Sequence, residues 1–386
     1  MFDFDQIISR SGTASEKWDG RLATFGRADV TPLWVADMDF AAPPAVTEAL
    51  LARAQHPIYG YTLADEAVYE SLITWLFRQH GWHVERDWIV LTPGVVPSIY
   101  AAVQALTQSH QGIIVQPPVY PPFFSAVKTL GRTLLGNPLR LENGRYRMDV
   151  EQLEQCAQQG AKLLLLCSPH NPVGRVWQHD ELMAVLDVAQ RYQLTIFADE
   201  IHADLVYPEF KHLPLATLAG KGDAVITAVS PGKTFNLAGL GLSALIIPDA
   251  AIRNHMVDVF AQLHIQTLNP FSLTACTAAY QHGDVWRDAL MLYLRDTRDV
   301  VMVYLAQHIP QIRPVAPEGT YLMWLDCREL NMTDAELRDF FVDQCAIGMN
   351  SGVSFGQGGG GFMRLNLASP RAVVMAALEK IAAEIG

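Results

Sequence analysis

Lys233 lies in the stretch SPGKTFNLAGLGL (230–242), where it could anchor an aldehyde. Upstream, the apolar run TIFADEIHADL (195–205) is typical of a buried strand that ends by presenting Asp199. Lysine forms Schiff bases with carbonyl compounds, and a buried aspartate can keep a pyridine nitrogen protonated. A lysine and an acid that hold opposite ends of one ring predict a pyridoxal phosphate site.

A phosphate-binding turn is predicted in TPGVVPSIYAAV (92–103), where a helix begins directly after a strand. The exposed amides of Gly94, Val95 and Val96 could hold the phosphate, and the helix dipole would add to the attraction. Ser230 offers a hydroxyl donor beside the lysine. A glycine before a helix is usually only a turn, so this prediction depends on its neighbours.

Three more side chains could surround the ring. Tyr120, in a proline-rich turn, could stack on it, and Asn171, in SPHNPVG (168–174), could bond its phenolic oxygen. His202 lies three residues past Asp199 and could reach the same oxygen edge. Each residue alone has a plainer interpretation, as a packing tyrosine, an Asn-Pro turn or a structural histidine. Their order, each just past a strand, favours the site.

Arg364 lies between apolar neighbours in GFMRLNLA (361–368), a predicted strand. A buried arginine is costly unless it meets an anion, and its planar fork suits the α-carboxylate of an amino acid. An ion pair with an internal Asp or Glu is the alternative.

The elements that must position these residues alternate between strands and helices. Uniformly apolar strands separated by helices predict a mostly parallel sheet covered on both faces, with ligands beyond the carboxyl ends of the strands. The predicted strands are 88–91, 112–115, 162–167, 194–199, 224–229 and 242–247, and helical periodicity is found at 96–108, 150–158 and 180–192.

A smaller α+β unit is predicted after about residue 285, with helices at 286–307, 333–345 and 370–384 and strands at 320–326 and 361–367. The first 40 or so residues have little periodic structure and are expected to wrap onto one or both units. We therefore predict an N-terminal segment (1–45), a large cofactor-binding domain (46–284) and a small domain (285–386).

Composition excludes several classes of function. The chain has 386 residues, 18% of them charged, and a net charge of −12, which would repel nucleic acid. No apolar run is long enough to span a membrane and no leader pattern is present, so a cytoplasmic location is expected. Five scattered cysteines and no His-Glu-x-x-His spacing indicate neither a disulfide framework nor a metal site.

Several strings together carry a family resemblance over nearly the whole length. The chain resembles the fold-type I pyridoxal phosphate enzymes of the class I/II aminotransferase superfamily, and within it the MalY/PatB group of cystathionine β-lyases, also called C-S lyases. The resemblance implies an α/β fold with a mostly parallel seven-stranded sheet in the large domain. The strings are FDFDQIISRSGTASEKWD (2–19), PLWVADMDF (32–40), YGYT (59–62), NPVG (171–174), ADEIH (198–202) and SPGKTFNLAGL (230–240).

The resemblance also implies roles for individual residues and a homodimer with shared active sites. Tyr61 matches a tyrosine that reaches the cofactor phosphate of the neighbouring subunit, and with Lys233 and Tyr120 it is expected to be catalytic. Arg364 and Asp37 are expected at the substrate, together with Tyr120. The implied cofactor contacts are the Schiff base of Lys233, the pyridine partner Asp199, the stacking ring Tyr120, Asn171 and His202 near the ring oxygen, and Ser230 with Gly94 to Val96 at the phosphate.

The expected reaction is α,β-elimination from L-cystathionine and related cysteine S-conjugates, which yields homocysteine or another thiol, pyruvate and ammonia. Gly241 stands where many aminotransferases carry a phosphate-binding arginine, and His202 replaces their tyrosine. Both differences favour a lyase over an aminotransferase, which stays open as the alternative. A regulatory protein that retains the fold is a further alternative.

Overall fold

The computed structural model describes residues 2–265 and 268–385. Its larger sheet has seven strands, and β10 alone runs opposite to the others. The strands, in order across the sheet, are β2 (Ile89–Thr92), β10 (Ser243–Ile246), β9 (Ala224–Val229), β8 (Thr195–Asp199), β7 (Ala161–Cys167), β3 (Gly112–Val115) and β4 (Thr133–Gly136).

The predicted mostly parallel sheet is confirmed, and all six predicted strands belong to it. The seventh strand, β4, was missed from the sequence. It is an edge strand whose residues are exposed or only half-buried, so its sequence TLLG lacks the continuous apolar run of a central strand.

Helices cover both faces of this sheet because its central strands are apolar on both sides. Along β7, Leu163 and Leu165 pack into the cluster under α5, α6 and α10, whereas Leu164 and Leu166 pack into the cluster with α7 and α8. The helices of this unit are α3 (Pro44–Gln55), α4 (Glu66–His80), α5 (Val95–Leu106), α6 (Pro122–Thr129), α7 (Val150–Gln158), α8 (His179–Tyr192), α9 (Pro231–Thr234), α10 (Ala250–Gln262) and α11 (Pro270–His282).

A second, four-stranded sheet follows the long helix α12 (Asp284–His308). Its strands, in order, are β11 (Arg313–Val315), β12 (Leu322–Asp326), β15 (Phe362–Asn366) and β14 (Asn350–Ser351), and α13 (Asp334–Asp339) and α14 (Arg371–Ile385) accompany it. The helix predicted at 333–345 is α-helical only to Asp339 and continues as a π-helix over Phe340–Gln344.

The N-terminal segment contains the short helices α1 (Glu16–Asp19) and α2 (Arg21–Phe25) and the strand β1 (Thr31–Pro32). This strand pairs in parallel with β13 (Ile347–Gly348), and a separate hairpin joins β5 (Arg140–Glu142) to β6 (Arg145–Arg147). Phe4 packs with the core around Trp286, so the segment contacts both sheet units. The domain boundaries themselves stay a prediction.

The five cysteines are free and buried. Among residues 2–265 and 268–385, no helix combines the length and apolar character that crossing a membrane requires.

Candidate active site

One large cavity lies at the carboxyl ends of β2, β3, β7, β8 and β9, the edge predicted for ligands. It has a volume of about 1090 Å³, enough for a cofactor and a small substrate. Every predicted site residue except Tyr61 lines it: Asp37, Gly94, Val95, Val96, Tyr120, Asn171, Asp199, His202, Ser230, Lys233 and Arg364.

Asp199 is the last residue of β8 and is 3% exposed. Its carboxylate accepts a hydrogen bond from the amide of Ile201 at 3.3 Å, and no lysine or arginine in the described part of the chain lies within ion-pair distance of it. Burial raises the pKa of Asp199 to about 7, with the hydrogen bond and the charge of Lys233 acting in the opposite sense. A buried acid of this kind is suited to a protonated ring nitrogen.

Lys233 is held on α9, a single helical turn that Ser230 caps by accepting from the amide of Gly232 at 3.0 Å. The half-buried lysine donates from Nζ to the carbonyl of Ala36 at 2.6 Å. Burial away from water and, as a smaller cause, the positive charge of Arg364 lower the pKa of Lys233 to about 8. A substantial fraction of this amine is therefore neutral near physiological pH.

Arg364 points into the cavity from the middle of β15 and is 5% exposed. Burial lowers its pKa to about 10, so it keeps its charge at neutral pH. Its Nε is buried and has no hydrogen-bond partner among the described residues. The other nitrogens donate to Asn171 Oδ1 at 2.9 Å, Asn350 Oδ1 at 2.7 Å and the Trp34 carbonyl at 2.9 Å. These neutral partners leave its positive charge uncompensated, which suits a carboxylate ligand.

His202 and Tyr120 are buried or half-buried in the same wall. Burial lowers the pKa of His202 to about 3, so the ring is neutral, and its buried Nδ1 has no protein partner in the described ranges. Burial also raises the pKa of Tyr120, which therefore stays protonated. Asn171 uses Oδ1 for Arg364, and its Nδ2 hydrogens can donate elsewhere. These polar groups fit the oxygen edge of a pyridoxal ring.

The predicted phosphate cup is the N-terminus of α5, a helix of 12 residues with Gly94 as its N-cap. The cap glycine supplies no side-chain acceptor, so the first amides of α5 are free of capping and can bind an anion. The Ser230 hydroxyl, expected at the phosphate, donates instead to the Leu242 carbonyl at 2.7 Å. The hydroxyl hydrogen of Ser230 is therefore already donated within the chain.

Tyr61 does not line the cavity of its own chain. Its side chain is fully exposed, at 103% of the reference area. The role expected for Tyr61 refers to a neighbouring subunit, and it stays a prediction.

Sequence reasoning missed several polar residues around the cavity. Asn236 bonds both the amide and the carbonyl of Met38 and so ties the lysine loop to the N-terminal segment. Asn366 follows Arg364 by two residues on the same face of the strand, a signal that could have found it. Asn350 and the acceptor carbonyl of Ala36 carry no such signal.

Three X-Pro peptide bonds in the described residues are cis: Pro117-Pro118, Ser168-Pro169 and Asn171-Pro172.

Residues 28–381 match the family described as aminotransferase class I and II. The chain is 39% identical to cystathionine beta-lyase PatB of Bacillus subtilis over 99% of this chain and 100% of the relative. It is 32% identical to protein MalY of Escherichia coli, over 96% and 95% of the two chains. The structure of cystalysin from Treponema denticola, described as containing a pyridoxal 5'-phosphate cofactor, has a TM-score of 0.95 at 35% identity and covers 100% and 99% of the two chains.

Proposed function

This chain belongs to the aminotransferase class I and II family, and on that premise we propose that it is a pyridoxal-phosphate-dependent carbon–sulfur β-lyase. The substrate is L-cystathionine or a related cysteine S-conjugate, and the products are a thiol, pyruvate and ammonia. The observation that carries the proposal is full-length similarity to a cystathionine β-lyase in a chain whose cavity groups a lysine of lowered pKa, a buried acid and a buried arginine.

The cavity residues fit this cofactor. Asp199 would face the ring nitrogen, Tyr120 would stack on the ring, and His202 with Asn171 would meet the ring oxygen. The first amides of α5 would hold the phosphate. The fit rests on a buried acid that lacks a cation and on a buried imidazole nitrogen that lacks a partner, both judged within the described residues.

When bound, pyridoxal phosphate supplies an aldehyde carbon that links to amines and a ring that accepts the electron pair left when a proton is removed. Arg364 binds the substrate carboxylate and so fixes the orientation of the Cα–H bond. The neutral amine of Lys233 takes the Cα proton, because a pKa of about 8 leaves part of this amine unprotonated at neutral pH. Sulfur can then leave Cβ as a thiolate without a strong acid, since thiols have pKa values of about 8.5.

An absorbance test addresses the cofactor role of Lys233. The purified protein with pyridoxal phosphate should show a band at about 420 nm, and Lys233→Ala should abolish it. Lys128→Ala, at an exposed position of α6, is the matched control and should keep the band. Retention of the band in Lys233→Ala would refute the assignment.

A product assay distinguishes the lyase from an aminotransferase that uses the same residues. Incubation with L-cystathionine should release pyruvate without any added keto acid. Amino transfer that requires a keto acid and leaves no pyruvate would instead establish the aminotransferase alternative. Cofactor binding without either reaction would favour a regulatory protein.

A homodimer with shared active sites is also proposed. Tyr61 is fully exposed, and its neighbours Ile58, Tyr59 and Leu63 are large apolar side chains with exposures of 67%, 57% and 89%. Such a cluster is costly in water unless another surface covers it. A second copy of this chain would cover it and bring Tyr61 to the partner's cavity.

A further inference from the structure

The turn formed by residues 34–37 presents four consecutive carbonyls to donors from other parts of the chain. The amide of Asp37 donates to the Val35 carbonyl at 2.9 Å, which folds the turn tightly around Ala36. Asn366, which is fully buried, spans the turn from β15. The bonds are Arg364 Nη2 to Trp34 O at 2.9 Å, Asn366 Nδ2 to Val35 O at 2.6 Å and to Asp37 O at 2.7 Å, and Tyr321 Oη to Ala36 O at 2.8 Å.

The carbonyl of Ala36, at the centre of this turn, has two lone pairs and two donors. Tyr321, which is fully buried, donates to it from Oη, and Lys233 Nζ donates to it at 2.6 Å. Burial raises the pKa of Tyr321, so its hydroxyl stays protonated and remains a donor. A carbonyl oxygen cannot donate, so the lysine amine must contribute a hydrogen here. Its remaining hydrogens or lone pair are thereby directed away from Ala36.

We propose that Tyr321 and Asn366 are positioning residues that hold the Ala36 carbonyl in place, so that this carbonyl orients the amine of Lys233 for proton transfer at the substrate Cα. The inference rests on the proposed function, because it concerns the base of that reaction. Neither residue touches the substrate in this scheme. A base held by one fixed hydrogen bond samples fewer unproductive orientations, and small misplacements of a catalytic group reduce rates strongly.

Tyr321→Phe removes one hydroxyl and keeps the ring, so it tests the proposal with little change in packing. Tyr207→Phe is the matched control, since Tyr207 is equally buried and its hydroxyl has no hydrogen-bond partner among the described residues. The first measurement is amide hydrogen exchange in the protein without added cofactor. Exchange of the Asp37 amide should become about five- to tenfold faster in Tyr321→Phe and stay unchanged in Tyr207→Phe.

The second measurement separates proton removal from carbon–sulfur cleavage. L-Alanine has no leaving group on Cβ, so the rate at which its Cα hydrogen exchanges with deuterated water reports on the base alone. With pyridoxal phosphate bound, Tyr321→Phe should lower this rate and kcat for L-cystathionine by about five- to tenfold while KM stays within about twofold. Asn366→Ser, which frees the flanking carbonyls, should give the same pattern.

Equal amide exchange and equal alanine exchange in Tyr321→Phe and Tyr207→Phe would overturn the inference. A change confined to KM would overturn it as well, because a loss of orientation acts on the proton-transfer step. Alanine exchange without pyruvate from L-cystathionine would overturn the lyase proposal alone. The ratio of the alanine exchange rates of Tyr321→Phe and Tyr207→Phe would still decide this inference.

Discussion

Asp199 and Lys233 are both drawn toward their neutral forms, and the leading cause for each is burial in the cavity wall. The pKa of Asp199 is raised to about 7 and that of Lys233 is lowered to about 8, although each charge partly stabilises the other. A protonated ring nitrogen beside Asp199 would return that residue to its anionic form. The charge state of both groups therefore depends on what the cavity holds.

The lysine amine should titrate near neutrality in the protein without cofactor. An ammonium has no lone pair, so labelling by trinitrobenzenesulfonate, followed by peptide mass analysis, should rise with pH and reach its midpoint near pH 8. An unperturbed lysine has a pKa of about 10.4. Labelling of Lys233 that rises only above pH 10 would contradict the proposed base.

Arg364 provides an internal check on that titration. Its positive charge disfavours the ammonium form of Lys233, so Arg364→Gln should move the midpoint to higher pH. Labelling of the exposed Lys128 should be identical in the two proteins. An unchanged or lower midpoint at Lys233 would show that the two charges do not interact.

At the scale of elements, the turn after β7 joins the cavity to the smaller sheet unit. Gly174 closes this turn with φ +72°, and its carbonyl accepts from the amides of Glu318 at 2.8 Å and Gly319 at 3.0 Å. A Cβ on Gly174 would lie 2.7 Å and 2.9 Å from Cβ and Cα of Pro317. Asn171, which contacts Arg364, begins the same turn.

Gly174→Ala should therefore destabilise the protein by about 3 kcal/mol, from backbone strain and from overlap with Pro317. Gly144→Ala is the matched control, because Gly144 has φ +76° but no atom within 4 Å of the added Cβ. That substitution should cost only the strain, about 1 kcal/mol. Urea unfolding midpoints at one fixed protein concentration would measure both. Equal losses of stability in the two variants would show that overlap with Pro317 does not contribute to the cost of Gly174→Ala.

Particular elements show how far the sequence alone could lead. The central strands were predictable because burial on both faces makes them uniformly apolar, and the cavity residues followed from the ends of those strands. β4 was not predictable in this way, since its residues are exposed or only half-buried and its sequence TLLG lacks that pattern. The role of the Ala36 carbonyl was not predictable either, because every residue has a backbone carbonyl. Only the folded turn shows that this one accepts from Lys233 and Tyr321.

At the scale of the whole molecule, the N-terminal segment is joined to distant parts of the chain by polar as well as apolar contacts. Lys17 is fully buried, and its Nζ lies 2.7 Å from the carboxylate of Asp39, which also accepts from Ser369 at 2.6 Å. Arg10 donates to both Asp37 and Asp39 in the cavity wall. The bond between Ser369 and Asp39 joins residues 330 positions apart, which local sequence patterns do not reveal.

Subunit mixing tests whether Tyr61 serves the cavity of a second copy. Lys233→Ala and Tyr61→Phe should each have little activity alone, because every site in either homodimer lacks one catalytic group. If Tyr61 reaches across the interface, a mixed dimer has one doubly defective site and one intact site. Co-refolding equal amounts should then restore about a quarter of the wild-type pyruvate release, since half of the dimers are mixed. Mixing with no gain would place Tyr61 and Lys233 in the same chain's site, and full activity of Tyr61→Phe alone would leave Tyr61 with no catalytic role.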